Sequence, residues 1–289
     1  ESISNSSMAT GKVLILGSQG MLGQQLMKLY GGIAEGWDRD VFDFSDPPSY
    51  AQKIKSANPT AVINCVAYND VDGAEADPKT AFKINSESVG ALAEICRGLD
   101  LPIVHFSTNY VFDGKKGTYE ETDSPNPLSA YGRSKYEGEK LLQKHGGKYY
   151  LIRTAVLFGQ RGAGSRTKQS FVDLVLELAQ KGEPVKAYTD MTSSVSYAVD
   201  LARAVKLLLD ERKPFGIYHL INSGQASRHD LAAETLRIAG VNGNLIAVTS
   251  DEFRRAAAIP KKAILINTKI PALRDWHEAL AEYLGTKKL

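Results

Sequence analysis

The first 158 residues repeat one pattern, in which a short apolar run is followed by a stretch whose apolar residues have helical spacing. The runs are rich in valine, isoleucine and leucine, as strands buried on both faces are. Strands that alternate with helices predict a parallel sheet covered on both faces and joined by right-handed crossovers. The strand-like runs are KVLILG (12–17), TAVINCVAY (60–68), LPIVHFST (101–108) and KYYLIRTAVLFG (148–159). We therefore expect an α/β fold built on a doubly wound parallel sheet.

Charge and hydropathy narrow the class of ligand. The chain has 35 Lys and Arg against 33 Asp and Glu, a net charge of +2, and no basic block, so it lacks the charge pattern of a nucleic-acid-binding protein. No apolar stretch reaches the roughly 18 residues of a membrane span. Cys65 and Cys96 lie in apolar runs without metal-ligand spacing, which predicts free thiols in a reducing compartment. These features favour a cytoplasmic protein that acts on small molecules.

Three glycines lie between the first predicted strand and the first predicted helix, in GSQGMLG. Glycine suits such a turn because the backbone angles are unusual, a pyrophosphate must approach the main chain, and the helix must pack closely on the strand. The spacing alone is weak, but a strand before it and a helix after it are the context that a dinucleotide site requires. The predicted cofactor-binding residues of this turn are Gly17, Gln19, Gly20, Met21, Leu22 and Gly23.

Two neighbouring residues bear on the choice of cofactor. Asp38 follows Gly17 by 21 residues, a distance at which a carboxylate can hold the 2′-hydroxyl of the adenine ribose in NAD(H). Arg39 can pair instead with the 2′-phosphate of NADP(H). Since the arginine has no other evident role, the sequence favours NADP(H) and leaves NAD(H) open.

The pattern changes after Gly159 to a polar loop, QRGAGSRTKQS, and then to a mixture of small elements. Ligands of open parallel sheets bind beyond the carboxyl ends of the strands, so a smaller region folded over that edge can supply a second binding site. The predicted division is a dinucleotide-binding domain at 8–158 with a return segment at 189–212, a substrate-binding region at 159–188 and 213–289, and an expression remnant at 1–7.

Tyr131 and Lys135 are four residues apart in YGRSK, so a helix places them on one face. A fixed ammonium makes the tyrosine proton easier to lose, which suits exchange of a proton with a substrate oxygen. A tyrosine and a lysine four residues apart are common by chance, so the catalytic interpretation depends on where this pair lies in the chain. The pair follows LPIVHFST, whose end carries Ser107 and Thr108, hydroxyls that can polarise the same carbonyl oxygen.

At this point the chain resembles a known family. From residue 12 onward it is similar to the extended short-chain dehydrogenases/reductases and, among them, to the dTDP-4-dehydrorhamnose reductases. The most specific stretch is HFSTNYVFDGKKGTYEETDSPNPLSAYGRSKYEGE, and shorter matches are NCVAYNDVDGAEADP, IRTAVLFG and GIYHLINSGQASRHDLA. The resemblance implies a Rossmann-like sheet with a smaller C-terminal substrate-binding region. It implies Thr108, Tyr131 and Lys135 as the catalytic triad, and Arg39, Asp43, Cys65, Ala67, Tyr68 and Asn85, with Tyr131 and Lys135, in the cofactor site.

The resemblance implies hydride delivery from the nicotinamide to C4 of a nucleotide-linked 4-keto-6-deoxyhexose. Tyr131 would donate the proton, Thr108 would hydrogen-bond the carbonyl, and Lys135 would hold the nicotinamide ribose and lower the pKa of the tyrosine. Related dehydratases place an Asp-Glu pair after the threonine, where this chain has Asn109 and Tyr110. An amide and a phenol cannot replace that pair, so reduction is favoured over dehydration. No metal is required.

The resemblance is weaker in the second half, at positions that face the substrate. Val156 stands where the family commonly has a tryptophan, and Ile259 and Lys262 stand where it has an arginine and an asparagine. The reaction type is therefore better specified than the sugar.

A substrate pyrophosphate still needs cations, and Tyr110 and Phe171 are candidates to cover a base or a sugar. The candidate cations are the loop residues Arg161, Arg166, Lys168, Lys261 and Lys262. The predicted substrate-binding residues are Thr108, Asn109, Tyr110, Tyr131, Val156, Arg161, Lys168 and Lys262.

Two alternatives to a reductase of that sugar remain open. The same fold serves as a catalytically silent regulatory partner of methionine adenosyltransferase, but such relatives can lose the tyrosine of the Tyr-Lys pair, which is present here. A reductase of a different sugar nucleotide, or of a small ketone, is the second alternative. The expected partner is a small-molecule nucleotide sugar, with no nucleic acid and no membrane. Homodimers are common in the superfamily, which leaves a homodimer open for this chain.

Overall fold

The structure is a computed structural model and describes residues 11–164, 167–252 and 254–287, so the predictions for 1–7 and for Arg166 lie outside the described residues. The strands are β1 (Val13–Leu16), β2 (Ala34–Trp37), β3 (Ala61–Asn64), β4 (Ile103–Thr108), β5 (Gly117–Tyr119), β6 (Tyr149–Thr154), β7 (Leu157–Phe158), β8 (Val185–Tyr188), β9 (Thr192–Ser193), β10 (Ser196–Tyr197), β11 (Gly216–His219), β12 (Asn222–Ser223), β13 (Ala226–Ser227), β14 (Leu245–Val248), β15 (Lys262–Leu265) and β16 (Leu273–Asp275). The helices are α1 (Met21–Tyr30), α2 (Pro47–Ala57), α3 (Gly73–Ala76), α4 (Pro78–Phe82), α5 (Ser88–Gly98), α6 (Ala130–His145), α7 (Phe171–Gln180), α8 (Ala198–Asp210), α9 (Arg228–Ala239) and α10 (Trp276–Gly285). A π-helical turn at Lys83–Glu87 joins α4 to α5.

Six strands form one parallel sheet in the order β2-β1-β3-β4-β6-β11. The direction in which successive strands are added reverses between β1 and β3, so the carboxyl ends of these two strands flank a crevice where ligands of such sheets bind. This arrangement confirms the predicted α/β fold with a doubly wound, Rossmann-like parallel sheet.

The alternation of side chains along β1 explains why its sequence is uniformly apolar. Val13 and Ile15 pack in a core with α1 and α8, whereas Leu14 and Leu16 pack in a second core with α2, α5 and α6. Because successive strand residues point to opposite faces, a strand covered on both sides has no polar positions in its middle.

A smaller region lies mainly in the second half of the chain. Its mixed four-stranded sheet has the order β13-β9-β15-β5, and β8 pairs with β14. Helices α7, α9 and α10 contribute to its two apolar cores. None of the helices within the described ranges is both long and apolar enough to cross a membrane.

The two regions exchange segments. Helix α8, in the predicted return segment, packs on α1. Strand β11 belongs to the sequence range 213–289 and pairs with β6 in the parallel sheet, while β5, from the range 8–158, pairs with β15 in the small sheet. Strands β5 and β11 thus each lie in the sheet of the other region. The ligand-binding roles assigned to the two regions remain predictions.

Candidate active site

The glycine turn between β1 and α1 leaves no room for side chains. Gly17 has φ of 76° and its amide donates to the Trp37 carbonyl at 2.8 Å. A Cβ on Gly23 would lie 2.2 Å from the Gly17 oxygen, and one on Gly17 would lie 3.2 Å from the Val66 nitrogen. Gly20 is the N-cap of α1, so the backbone here forms a cradle at a helix N-terminus, which suits a pyrophosphate.

Asp38, directly after β2, is bound to this turn. Its carboxylate accepts hydrogen bonds from the Gln19 amide at 3.2 Å and from the Ser18 hydroxyl. Arg39 beside it is exposed. Asp43 accepts from the Ser45 hydroxyl and amide, and these bonds, together with the charge of Arg39, hold the pKa of Asp43 below its ordinary value. The carboxylate of Asp38 thus fixes the turn, and Arg39 is the exposed cation next to it.

The chain after β3 passes close to the glycine turn. The Cys65 amide donates to the Leu16 carbonyl at 2.8 Å, which continues the pairing of β3 with β1. The Asn64 side chain accepts from the Val66 amide at 3.0 Å. Cys65, Ala67 and Tyr68 follow, and all three are half-buried. The predicted wall of the cofactor site therefore lies at the crevice between β1 and β3.

Asn85 lies in the π-helical turn and is completely buried. Its Oδ1 accepts from the Tyr68 amide at 2.9 Å, and its Nδ2 donates to the Tyr68 carbonyl and to the Ser134 hydroxyl, both at 3.0 Å. Both amide hydrogens are thus used within the protein. The side chain ties the loop after β3 to α6, which is a positioning arrangement rather than a set of groups directed at a ligand.

Helix α6 places Tyr131 and Lys135 beneath the carboxyl end of β4. Ser129 caps the helix by accepting from the Gly132 amide at 3.0 Å, and Glu75 accepts from the Ala130 amide at 2.7 Å. Tyr131 is 8% exposed and Lys135 is 2% exposed. The Lys135 Nζ donates to the Phe106 carbonyl at 2.6 Å. The predicted pair therefore lies on one buried face, at the end of a central strand.

The protonation of the pair follows from its burial. Burial raises the pKa of Tyr131, and a hydrogen bond with the Thr108 side chain opposes this rise. Burial lowers the pKa of Lys135 to about 8, against the opposing charge of Glu139. The sequence-based expectation that Lys135 lowers the pKa of Tyr131 differs from this arrangement, in which the lowering comes from Thr108 and burial prevails. A tyrosine with a raised pKa keeps its proton at neutral pH.

Thr108 is the hydrogen-bond partner of Tyr131, and the residues that follow it connect the site to the smaller region. The Thr108 hydroxyl accepts from the Tyr110 amide at 3.1 Å. The Asn109 side chain donates to the Ser193 hydroxyl and to the Ala263 carbonyl, both at 2.9 Å, so it joins the end of β4 to β9 and β15. The Tyr110 ring lies edge-on to the Tyr131 ring at 6.1 Å between centroids.

A cavity of about 590 Å³ opens beside this point, between the end of β4 and the smaller region. Asn109, Tyr110 and Val156, predicted to bind substrate, line it together with Phe171. Val156 has φ of 23°, a strained backbone angle for a β-branched residue. The cavity is thus lined by part of the predicted substrate site, while the predicted catalytic residues Thr108, Tyr131 and Lys135 are not among its lining residues.

Of the cations predicted for the substrate, the four that lie in the described part of the chain do not line the cavity. Lys168 pairs with Asp70 at 3.4 Å and Lys261 pairs with Asp190 at 3.2 Å. Arg161 is exposed and donates to the Thr167 carbonyl at 3.0 Å, and the Lys262 stem packs near Gly117. The side chains of Arg161, Lys168 and Lys261 are thus held by other partners.

The described ranges 11–164, 167–252 and 254–287 contain no group of three or more His, Cys, Asp or Glu side chains arranged to hold a metal ion.

Comparison with known proteins identifies the family. A family model described as the RmlD substrate binding domain matches residues 11–288. The chain belongs to the dTDP-4-dehydrorhamnose reductase family. This membership confirms the family predicted from the sequence and, with it, the prediction that the chain is an oxidoreductase.

Individual relatives match over nearly the whole chain. The dTDP-4-dehydrorhamnose reductase of Shigella flexneri is 30% identical and covers 94% of this chain and 97% of its own length. A dTDP-4-keto-6-deoxy-D-glucose reductase of Streptomyces niveus is 31% identical, with 94% and 96% covered. The crystal structure of the Bacillus anthracis dTDP-4-dehydrorhamnose reductase in complex with NADP is 28% identical, covers 96% of this chain and 99% of its own, and has a TM-score of 0.90.

Four cationic side chains line the cavity of this chain, and none of them was predicted from the sequence. They are Lys186, Arg228, Arg254 and Arg255. The Arg228 guanidinium lies 5.1 Å from the Phe171 ring centre and bonds to the Tyr110 side chain. Arg255 pairs with Asp72 at 2.7 Å. Arg228 stands in GIYHLINSGQASRHDLA, one of the family stretches, which was a usable signal, whereas Arg255 follows no motif.

Proposed function

We propose that the chain is an NADP(H)-dependent dTDP-4-dehydrorhamnose reductase, which reduces the 4-keto group of a dTDP-linked 6-deoxy sugar. The observation that carries the proposal is the position of Tyr131. It packs in one apolar cluster with Tyr68, which follows β3 at the crevice, and with Tyr110, which lines a cavity that also has arginines in its lining, and Thr108 is its hydrogen-bond partner. Relatives named as reductases of such sugars support the same substrate class.

The chain's own residues suit the proton side of a reduction. When bound, the reduced nicotinamide supplies the hydride. Tyr131 holds its phenolic proton at neutral pH because burial raises its pKa, and it donates that proton to the carbonyl oxygen as charge develops there. Thr108 donates a hydrogen bond to the same oxygen. Lys135, fixed at the Phe106 carbonyl, supplies a positive charge below the site.

The cofactor site is proposed at the glycine turn. Gly17 and Gly23 allow the turn to pack closely on itself and on the chain after β3, and Gly20 begins α1, whose N-terminus would hold the pyrophosphate with Gln19, Met21 and Leu22 beside it. Asp38 is already bonded to Ser18 and Gln19, so exposed Arg39 is better placed than Asp38 to meet an adenosine 2′-phosphate. The complex of the Bacillus anthracis relative with NADP supports this preference. NAD(H) stays open.

The substrate site is proposed at the cavity. Arg228 and Arg255 are suited to a diphosphate because guanidinium groups bind phosphate oxygens through paired hydrogen bonds. Tyr110 and Phe171 can cover the base or the sugar. Arg161, Lys168 and Lys262 are less suited because they lie outside the cavity lining. The direct contacts of Thr108, Asn109 and Val156 with the sugar remain predictions, as do a homodimer and a cytoplasmic location.

The test is a turnover assay with matched substrates. The purified chain is mixed with NADPH or NADH and with enzymatically made dTDP-4-keto-6-deoxy sugar, and the nicotinamide absorbance is followed. We expect oxidation of NADPH with the dTDP sugar and much less with its UDP counterpart. A folded chain that binds NADPH but turns over neither sugar would exclude the proposed reductase and favour a silent binding subunit.

The cofactor preference is tested in the same assay with Arg39→Ala. Removing this guanidinium is expected to weaken NADPH more than NADH, because only NADPH carries the 2′-phosphate. Equal weakening of both would remove the basis for preferring NADP(H).

A second candidate function is reduction of a different dTDP sugar. Val156 lines the cavity where the family commonly has a tryptophan, so the space next to the sugar differs in this chain. The Streptomyces niveus relative, named for a dTDP-4-keto-6-deoxy-D-glucose, shows that the family includes other sugars. A panel of dTDP-4-keto sugars in the same assay decides between them.

A further inference from the structure

A buried ion pair lies directly behind the catalytic face of α6. Glu139 is 0% exposed and Arg153, on β6, is 2% exposed. The Arg153 Nε donates to Glu139 Oε1 at 3.0 Å and its Nη2 donates to Oε2 at 2.7 Å. This fork holds the carboxylate in one orientation, because each oxygen has its own donor.

Glu139 lies one turn after Lys135, on the same face of α6. Residues four apart on a helix are neighbours, so the carboxylate and the ammonium interact. Lys135 has lost nearly all contact with water, and this burial favours its neutral form, whereas the charge of Glu139 favours the charged form. Lys135 donates to the Phe106 carbonyl at 2.6 Å. The charge of Lys135 therefore depends on a carboxylate that the family resemblance did not single out.

Other ionisable groups surround α6 on every side. Among the described residues they include Tyr131 and Glu137 on α6 itself, His105 on β4, Tyr110 after β4, Arg153 on β6, Glu75 on α3, Lys79 on α4, Lys83 and Glu87 in the π-helical turn, and Glu94 on α5. His105 is neutral, since burial and the charge of Lys135 hold its pKa well below the ordinary range. Glu75 accepts from the Ala130 amide at the start of the helix, and Glu87 pairs with Lys83. Glu139 is the charge that opposes the desolvation of Lys135.

We propose that Glu139 is a positioning residue for the reaction, which keeps Lys135 charged and directed at the end of β4 while Arg153 holds the carboxylate in place. Glu139 acts through Lys135 and has no contact with the cavity. The inference rests on the proposed function in one respect, the assignment of Lys135 as the catalytic lysine.

The direct test follows the titration of Lys135 itself, with no cofactor or substrate present. The full chain is labelled with ¹³C at lysine Cε, the Lys135 signal is assigned by its loss in Lys135→Arg, and its midpoint is measured in wild type and in Glu139→Gln. We expect the midpoint to move to lower pH by about one unit or more in Glu139→Gln. The control is Glu137→Gln on the same helix, where an exposed carboxylate pairs with Lys140 and the Lys135 midpoint should not move.

A second variant separates tuning from stability. Glu139→Gln leaves the Arg153 guanidinium without its partner, so a lower Tm is expected. The double variant Glu139→Gln with Arg153→Met removes the stranded charge and should recover most of that Tm. Under the proposal its Lys135 midpoint stays below that of wild type. A midpoint that returns to the wild-type value would mean that the ion pair acts as a neutral structural unit, and the proposal would be wrong.

An activity measurement completes the test. If Lys135 must be charged, the alkaline decline of kcat moves to lower pH in Glu139→Gln by the same amount as the midpoint. An unchanged midpoint in a folded Glu139→Gln overturns the inference whatever the activity. A wild-type chain that reduces no sugar overturns the proposed function and leaves the titration result standing, so the two failures are distinguishable.

Discussion

The side-chain amide of Asn85 pairs with both backbone polar groups of Tyr68, accepting from the amide at 2.9 Å and donating to the carbonyl at 3.0 Å. These two bonds satisfy the backbone polar groups of the loop after β3, as the bonds from a neighbouring strand would in a sheet. Its second amide hydrogen goes to Ser134 on α6. The wall of the proposed cofactor site is thus attached to the helix that carries Tyr131 and Lys135.

Replacing Asn85 by alanine should weaken the fold and the cofactor site together. The change leaves the amide and carbonyl of half-buried Tyr68 without these partners, so we expect a loss of roughly 1–3 kcal/mol in the free energy of unfolding, measured with urea. The matched control is Asn126→Ala, where an exposed amide donates to Asp113. Equal stability of Asn85→Ala and wild type would contradict the attachment described here.

The proton-donor role of Tyr131 is tested by Tyr131→Phe. The variant should lose about 10²- to 10⁴-fold in kcat, because general acid catalysis is removed, and NADPH should bind as before. Tyr136→Phe, one residue beyond Lys135 on the same helix and half-buried, should keep its rate. Full activity of Tyr131→Phe in the turnover assay would show that another group supplies the proton.

The glycine turn makes a steric prediction. In Gly23→Ala the new Cβ would meet the Gly17 carbonyl oxygen at 2.2 Å, so α1 must move away from the turn. We expect NADPH binding, measured by fluorescence titration, to fall at least tenfold. In Gly98→Ala the new Cβ meets nothing within 4 Å at the end of α5, and binding should be unchanged. Tight binding by Gly23→Ala would place the pyrophosphate elsewhere.

The cavity arginines are expected to act on KM. Arg228→Ala or Arg255→Ala removes charge-assisted hydrogen bonds to a diphosphate, each worth roughly 1.5–3 kcal/mol, so KM for the sugar nucleotide should rise about tenfold or more. The Kd for NADPH should not change. Lys261→Ala is the control, because Lys261 pairs with Asp190 outside the cavity lining. If KM changed in Lys261→Ala and in neither arginine variant, the substrate would bind outside this cavity.

The lowered pKa of Lys135 predicts a dependence of stability on pH. Lys135 titrates near 8 in the folded chain and has an ordinary value of 10.5. Between pH 8 and pH 10.5 Lys135 is protonated more fully in the unfolded chain than in the folded chain, so the free energy of unfolding rises with pH in this range. Below about pH 8 the lysine is charged in both states, and its full destabilising effect on the fold is present. Lys135→Met should therefore be more stable than wild type at pH 7, by roughly 1–3 kcal/mol.

The measurement is urea unfolding at pH 7 and at pH 9.5. The advantage of Lys135→Met should shrink at the higher pH, because wild-type Lys135 becomes neutral there. Lys140→Met, on the exposed side of α6, should show the same difference from wild type at both values. An advantage of Lys135→Met that does not change with pH would mean that the pKa of Lys135 in the folded chain is not lowered.

Features encoded by neighbouring residues were predictable from the sequence. The strand runs, the glycine turn and the Tyr131–Lys135 spacing each depend on fewer than twenty consecutive residues, because periodicity and turn chemistry act locally. The four predicted strand runs and the helices between them occur in the predicted order in the first half, whereas β2 and β5 are strands that the apolar pattern did not indicate. The reaction type followed from those same local features and from the family resemblance.

The substrate cations were not predictable in the same way. Arg255 and Asp72 are separated by 183 positions in sequence, and no local pattern indicates which distant loops a fold brings together. Arg161, Lys168 and Lys262 were selected because they lie in loops, but an exposed lysine or arginine finds a nearby carboxylate or carbonyl as readily as a ligand. The location of β11 depends in the same way on pairing with β6 across more than sixty residues.

The exchange of β5 and β11 has a consequence for synthesis on the ribosome. When the first 158 residues have emerged, β6 has an unpaired edge, and β11 reaches it only after residue 219 has been added. An open strand edge on a nascent chain invites pairing with other chains. Strand β5 gains its partner strand later still, when β15 is made at residues 262–265. The parallel sheet is therefore complete only when β11 has been made, and the small sheet, which holds β5 from the first half, only when β15 has been made.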